Sequence, residues 1–126
     1  VSPWVSFTQE RASWKSNHKK DALDPATVRI WSDNFMGKTP NDNWSQPAEA
    51  PAEWWTGLKV DNIAITAGGN EVLRDDIRAL AEKIKVSKDS ASAGTTSALR
   101  LRADRWYFRS IILRSNTSKR QERRMM

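Results

Sequence analysis

Cysteine is absent from this chain, which excludes disulfides, a thiol nucleophile and thiolate metal sites. Histidine occurs once, at His18, so a histidine-based metal centre lacks its ligands. No apolar run approaches the ~20 residues that cross a bilayer, and no signal-peptide pattern opens the sequence. Glycine and proline are scarce, five of each in 126 residues, so each one is informative about where the chain turns. The chain begins at Val1 rather than methionine, which leads us to expect a processed product or a piece of a longer protein. At 38% hydrophobic residues the sequence has enough apolar side chains for one domain with a core.

The formal charge of +6 is unevenly placed. Residues 1–85 hold 11 Lys/Arg against 12 Asp/Glu, a net of −1, and residues 86–126 hold 10 against 3, a net of +7. A basic terminal third suits nucleic acid or an anionic membrane surface, or marks a segment of different origin from the rest. The boundary at Lys85 therefore divides the chain into a first region, 1–85, and a tail, 86–126.

Ser2-Pro3-Trp4-Val5-Ser6-Phe7 reads as the end of a strand with its exit loop, since Pro3 breaks a helix there. Helical signals run from Ser13 to Trp31, with Ser16 or Asn17 as caps of a first turn. Asp24-Pro25 is a strong second start, with Asp at the N-cap and Pro at the first helical position. Residues 37–51, punctuated by Gly37, Pro40, Pro47 and Pro51, predict a loop.

Ile63-Ala64-Ile65-Thr66, bounded by Asn62 and Gly68-Gly69, predicts a short buried parallel strand. Leu73, Ile77, Leu80, Ala81 and Ile84 then repeat at i, i+4, i+7, i+8, i+11, one face of an amphipathic helix. Strand, glycine turn and helix in that order predict an α/β protein. Glu71 sits at the carboxyl end of the strand, where open α/β sheets keep their functional groups. As a bare pattern Glu71, Asp75 and Asp76 also suit a helix N-terminus, whose dipole favours acids.

The stretch from Ser2-Pro3-Trp4 to Lys85 resembles the C-terminal half of an α/β-hydrolase of the hormone-sensitive-lipase group, the fold-3 esterases and lipases, and is most similar to fungal members that include steryl acetyl hydrolase-like enzymes. Ser2-Pro3-Trp4-Val5 resembles the family's exit from a core strand. Asp33-Asn34-Phe35-Met36-Gly37 through Asn43-Trp44-Ser45-Gln46-Pro47 resembles the loop before the next strand. Ile63 to Asp76 resembles the strand and turn of the catalytic acid, whose usual form is Ala-Gly-x-Asp-Pro-Leu-Arg-Asp followed by an acid. The resemblance implies an incomplete α/β-hydrolase fold, the C-terminal part of the sheet with flanking helices, followed by a disordered or irregular tail.

Aligned on Leu73-Arg74-Asp75, the resemblance places the triad acid at Glu71, with Asp75 as runner-up and Asp76 as a further competitor. The complete protein is then expected to hydrolyse small apolar acyl or acetyl esters without a metal or cofactor. Aspartate and glutamate both serve as the acid in this fold, because either can accept the histidine's ring N–H. Asn70, one residue more than the usual turn, would accommodate the longer side chain.

The departures are large. Neither Gly-x-Ser-x-Gly nor His-Gly-Gly occurs, and no histidine follows Glu71. His18 precedes the acid, beside two lysines, and reads as a surface residue. The chain as given is therefore expected to be an inactive fragment. Val86-Ser87 can be encoded by GTAAGT, a common splice donor, so residues 86–126 are read as a retained intron or shifted frame. Trp4, Trp31, Trp54 and Trp55 are expected to pack the sheet and its cap. The competing class is a small basic, non-catalytic binding module using residues 99–124, in which arginines meet phosphates or an anionic surface and aromatics stack on bases. That tail matches no module signature, so nucleic acid is not the expected partner.

Overall fold

The computed structural model describes residues 2–60, 62–91, 99–103 and 108–114. Helix α1 (Ala12–Asn17) is short and begins after Arg11, so neither Ser16 nor Asn17 caps its start. Helix α2 (Pro25–Met36) begins as the Asp24-Pro25 pair requires: Asp24 accepts the N–H of Thr27 at 3.0 Å, and Pro25 opens the first turn. It stops at Gly37, whose φ of 54° with ψ of −118° favours glycine and whose N–H returns to Asp33 O at 2.8 Å. Only Val28 and Ser32 of α2 are buried, and Ile30, Trp31 and Phe35 face outward.

Between Gly37 and Pro51 the chain forms turns, as the prolines predict. This loop is nevertheless anchored. Lys83 donates to the carbonyls of Ala48 and Ala50, and Ser87 to that of Ala52. Residues 2–8 run alongside it, with Ala48 N–H donating to Val5 O at 2.9 Å and Phe7 N–H to Gln46 Oε1 at 2.8 Å. The expected strand at Ser2–Phe7 is an extended segment instead, because one backbone bond and a glutamine side chain replace a ladder.

A 3-10 turn (Ala52–Trp55) leads to strand β1 (Asn62–Gly68), helix α3 (Arg74–Ala91), and strands β2 (Leu99–Ala103) and β3 (Phe108–Arg114). The strands form one sheet of order β1-β3-β2, and both pairings are antiparallel, with Ile65 opposite Ile111 and Leu101 opposite Ile111. The predicted parallel character of β1 is thus corrected. The physical reason is visible in its burial: Ile65 and Ala67 are buried while Ala64 is exposed, the one-sided alternation of an antiparallel strand rather than the two-sided burial of a parallel one. The tail also departs from the expectation of an irregular segment. Its first residues continue α3 across the Lys85 boundary, and the β-branched run Ile111-Ile112 lies in β3, whose backbone pairs with β1. Residues 92–98, 104–107 and 115–126, where the rest of that expectation falls, lie outside the described residues.

The core follows the predicted helix face. Val72, Leu73, Ile77, Leu80, Ala81 and Ile84 are buried together with Ile65 and Ala67 of β1, Trp14 of α1, Val28 of α2, Val5 and Ala48. Full burial of a side chain such as Ile77 stabilises by about 1.5–3 kcal/mol. Of the four tryptophans expected to pack, Trp4 and Trp55 rest against this core and Trp31 is 49% exposed. Trp54 stands edge-to-face between Trp44 and Trp55. Among the described residues the one buried indole is Trp14. Among the described residues no helix is long and apolar enough to cross a membrane.

Candidate functional site

Strand β1 ends at Gly68, and the chain turns through Gly69, Asn70 and Glu71 into α3. The turn is closed by Glu71 N–H on Gly68 O and Arg74 N–H on Glu71 O, both at 3.3 Å. Side chains from α1 and the turn after it hold several of its other backbone groups. Asn17, 2% exposed, donates Nδ2 to Glu71 O at 2.8 Å and to Gly69 O at 3.4 Å. Asp21 Oδ2 accepts Val72 N–H at 2.6 Å, and Ser13 Oγ donates to Val72 O at 2.6 Å. Arg74 Nη1 adds a bond to Gly69 O at 3.0 Å. These bonds hold the turn in place, because a buried carbonyl or N–H that lost its partner would cost about 1–3 kcal/mol.

Three carboxylates lie on this turn and the start of α3, and their oxygens are engaged very differently. Asp75 accepts Arg74 Nε at 2.9 Å on Oδ1 and Ser13 N–H at 2.9 Å on Oδ2, while its own N–H reaches Ser13 Oγ at 3.2 Å. Its burial acts to raise its pKa, but the Arg74 hydrogen bond and charge, the Ser13 N–H and the Arg78 charge outweigh this and hold it below 3.8. Asp76 is fully buried and accepts Arg11 Nε and Trp14 Nε1, each at 2.8 Å, one on either oxygen. Burial pushes its pKa above 3.8 despite those two donors and the Arg11 charge.

Glu71 differs from both. Its Oε1 accepts the Ser2 hydroxyl at 2.7 Å. Its Oε2 is enclosed and has no hydrogen-bond partner among the described residues. Two further buried side-chain atoms share that condition, Trp4 Nε1 and Trp55 Nε1, and both are donors. The Glu71 side chain lies across Gly68: a Cβ at Gly68 would stand 2.8 Å from Oε1 and 2.9 Å from both Cγ and Cδ. Gly68 is therefore glycine so that the carboxylate can lie over the strand end.

The structure thus brings Glu71, Asp75 and Asp76 together at the turn and the start of α3, and of their six oxygens only Glu71 Oε2 has no hydrogen-bond partner among the described residues. His18 is elsewhere in role: it is exposed at the end of α1, with Nδ1–H donating to Lys15 O at 2.8 Å. The residues that sequence reading did not single out are Ser2, Ser13, Asn17 and Asp21. Their signal was present only as a cluster of small polar residues, which reads equally well as helix caps.

A cavity of about 460 Å³ lies between α2 and the 2–8 segment, lined by Phe7, Thr8, Arg29, Ser32, Asp33, Met36 and Asn41. Glu71 does not line it. Among the described residues no group of three or more His, Asp or Glu side chains is placed to hold a metal ion. The residues proposed for a basic surface, 99–124, are described only as the backbone of β2 and β3. No protein-family model, curated protein or solved structure matches the chain.

Proposed function

We propose that Glu71 is the acid of a serine carboxyl-ester hydrolase triad, within a partial α/β-hydrolase fold, in a protein that acts on apolar acyl or acetyl esters. The observation that carries this reading is the enclosed, unpartnered Oε2 of Glu71 at the carboxyl end of β1. A carboxylate oxygen removed from water is stabilised by a donated N–H. In a triad that donor is the histidine ring, and the acid's role is to fix its tautomer and to stabilise the imidazolium formed as the serine is deprotonated. Asp75 and Asp76 are poor candidates for that role, because each of their oxygens already accepts a bond.

The reading makes the 126 residues inert by themselves. They contain no Gly-x-Ser-x-Gly and no histidine after Glu71. The serine forms the covalent bond and the histidine moves the proton, so the acid alone transfers nothing. Assayed with a short-chain chromogenic ester, the purified chain is expected to show no turnover above buffer. Turnover that disappears in Glu71→Ala would overturn this. The family reading itself is tested in the encoding DNA. It requires a Gly-x-Ser-x-Gly reading frame joined upstream and a histidine-bearing segment joined after the Lys85 codon, and their absence from the gene would remove it.

A further inference from the structure

We infer that Ser2 and Gly68 form the positioning device of Glu71, one by a hydrogen bond and the other by the space its missing side chain leaves. The role assigned to the carboxylate rests on the hydrolase reading, whereas the device itself does not. Ser2 Oγ is 2.7 Å from Oε1, across 69 residues of sequence, and it binds that oxygen alone. Gly68 supplies the floor, since the Cγ, Cδ and Oε1 atoms of Glu71 occupy the volume a Cβ would take. A glutamate side chain has three rotatable bonds and loses about 1.5–2 kcal/mol of rotamer freedom when it is fixed. Something must hold it if Oε2 is to present one lone pair in one direction, and these two contacts do so.

The anchors of Ser2 are themselves firm. Val5 O accepts Ala48 N–H, Phe7 N–H is held by Gln46, and Ser6 Oγ donates to Glu49 Oε1 at 2.8 Å, so the segment that carries Ser2 is tied down from Val5 to Phe7. On the other side, Asn17 fixes the Glu71 carbonyl. Backbone and one carboxylate oxygen are both held, and the second oxygen is left to accept. This is the arrangement that would orient an imidazole. A purely structural glutamate would have both oxygens satisfied, as Asp75 and Asp76 have.

The test uses the full chain labelled with ¹³C and ¹⁵N near neutral pH, and reads the Glu71 side-chain couplings, which report whether one rotamer is held. In the wild type a single rotamer is expected. Ser2→Ala is expected to average the couplings, and Ser2→Thr to restore the single rotamer. Gly68→Ala is expected to move Glu71 to another rotamer while the amide spectrum of α3 stays unchanged, since the displaced atoms are the far end of a flexible side chain. Unchanged couplings in Ser2→Ala or in Gly68→Ala would overturn the positioning role. The hydrolase reading fails separately, in the encoding DNA, and couplings that average in Ser2→Ala would then leave the device standing.

Discussion

Trp14 and Asp76 bury each other's polar atoms: the indole Nε1 donates to Asp76 Oδ2 at 2.8 Å, with 4% of the tryptophan and none of the aspartate exposed. Arg11 closes the pair from outside, bonding Asp76 Oδ1 at 2.8 Å and Glu49 at 3.4 Å. The unit ties α1 and the 46–50 loop to α3. Asp76→Ala is expected to cost about 3 kcal/mol, the lower end of the range for breaking a buried pair, because Arg11 is partly solvated. Trp14→Phe keeps the ring but removes the donor and is expected to cost about 1–3 kcal/mol. Urea denaturation of the two variants measures both.

Asp75 and Asp76, adjacent in sequence, are expected to affect stability in opposite directions with pH. Asp75 has a folded pKa below 3.8, so the ionised form is favoured by folding. Its contribution is present above 3.8 and lost as pH falls through the folded value. Asp76 has a folded pKa above 3.8, so between that value and 3.8 the folded state holds a proton the unfolded state has released. Its contribution is present below 3.8 and lost as pH rises through the folded value. In unfolding experiments from neutral to acid pH, the stability gap between the wild type and Asp75→Asn should close below 3.8. Carboxyl NMR should find Asp76 protonating first as acid is added from neutral pH, and Asp75 after it.

Asn17 is the test of the clamp on the acid turn. Asn17→Ala leaves the carbonyls of Glu71 and Gly69 without their donor, an expected loss of about 1–3 kcal/mol. Asn17→Asp has nearly the same shape but sets an acceptor against two acceptors, and is expected to be worse than alanine. Thermal unfolding ranks the two, and the opposite order would mean that shape rather than donation holds the turn.

The sheet makes β1 dependent on the tail. Truncation after Ala91 removes β2 and β3, and with them the antiparallel partner of Asn62–Gly68. Hydrogen exchange at the β1 amides is expected to accelerate markedly, while Ile77 and Leu80 in α3 keep their protection. Slow exchange of β1 in the truncated chain would show that β3 is not what protects it.

Local patterns were enough to read much of this chain. Asp24-Pro25 and Gly37 bound α2 because their chemistry acts within a few residues: a carboxylate capping an N–H three positions on, a fixed φ, and a positive φ. The 3.6-residue spacing of Leu73, Ile77, Leu80, Ala81 and Ile84 determined which face of α3 is buried. The glycine turn carrying Glu71 was legible for the same reason. Tertiary structure alone decided the rest, because those properties depend on residues far apart in sequence. Nothing near β1 specifies whether its partner is parallel or antiparallel, which is set by the chain that meets it, here β3. Nor does Glu71-Val72-Leu73-Arg74-Asp75-Asp76 reveal which carboxylate keeps an unbonded oxygen. Arg11, Ser13 and Trp14, about 60 residues earlier, take three of the four oxygens of the other two acids, Arg74 takes the fourth, and Ser2 takes only one oxygen of Glu71.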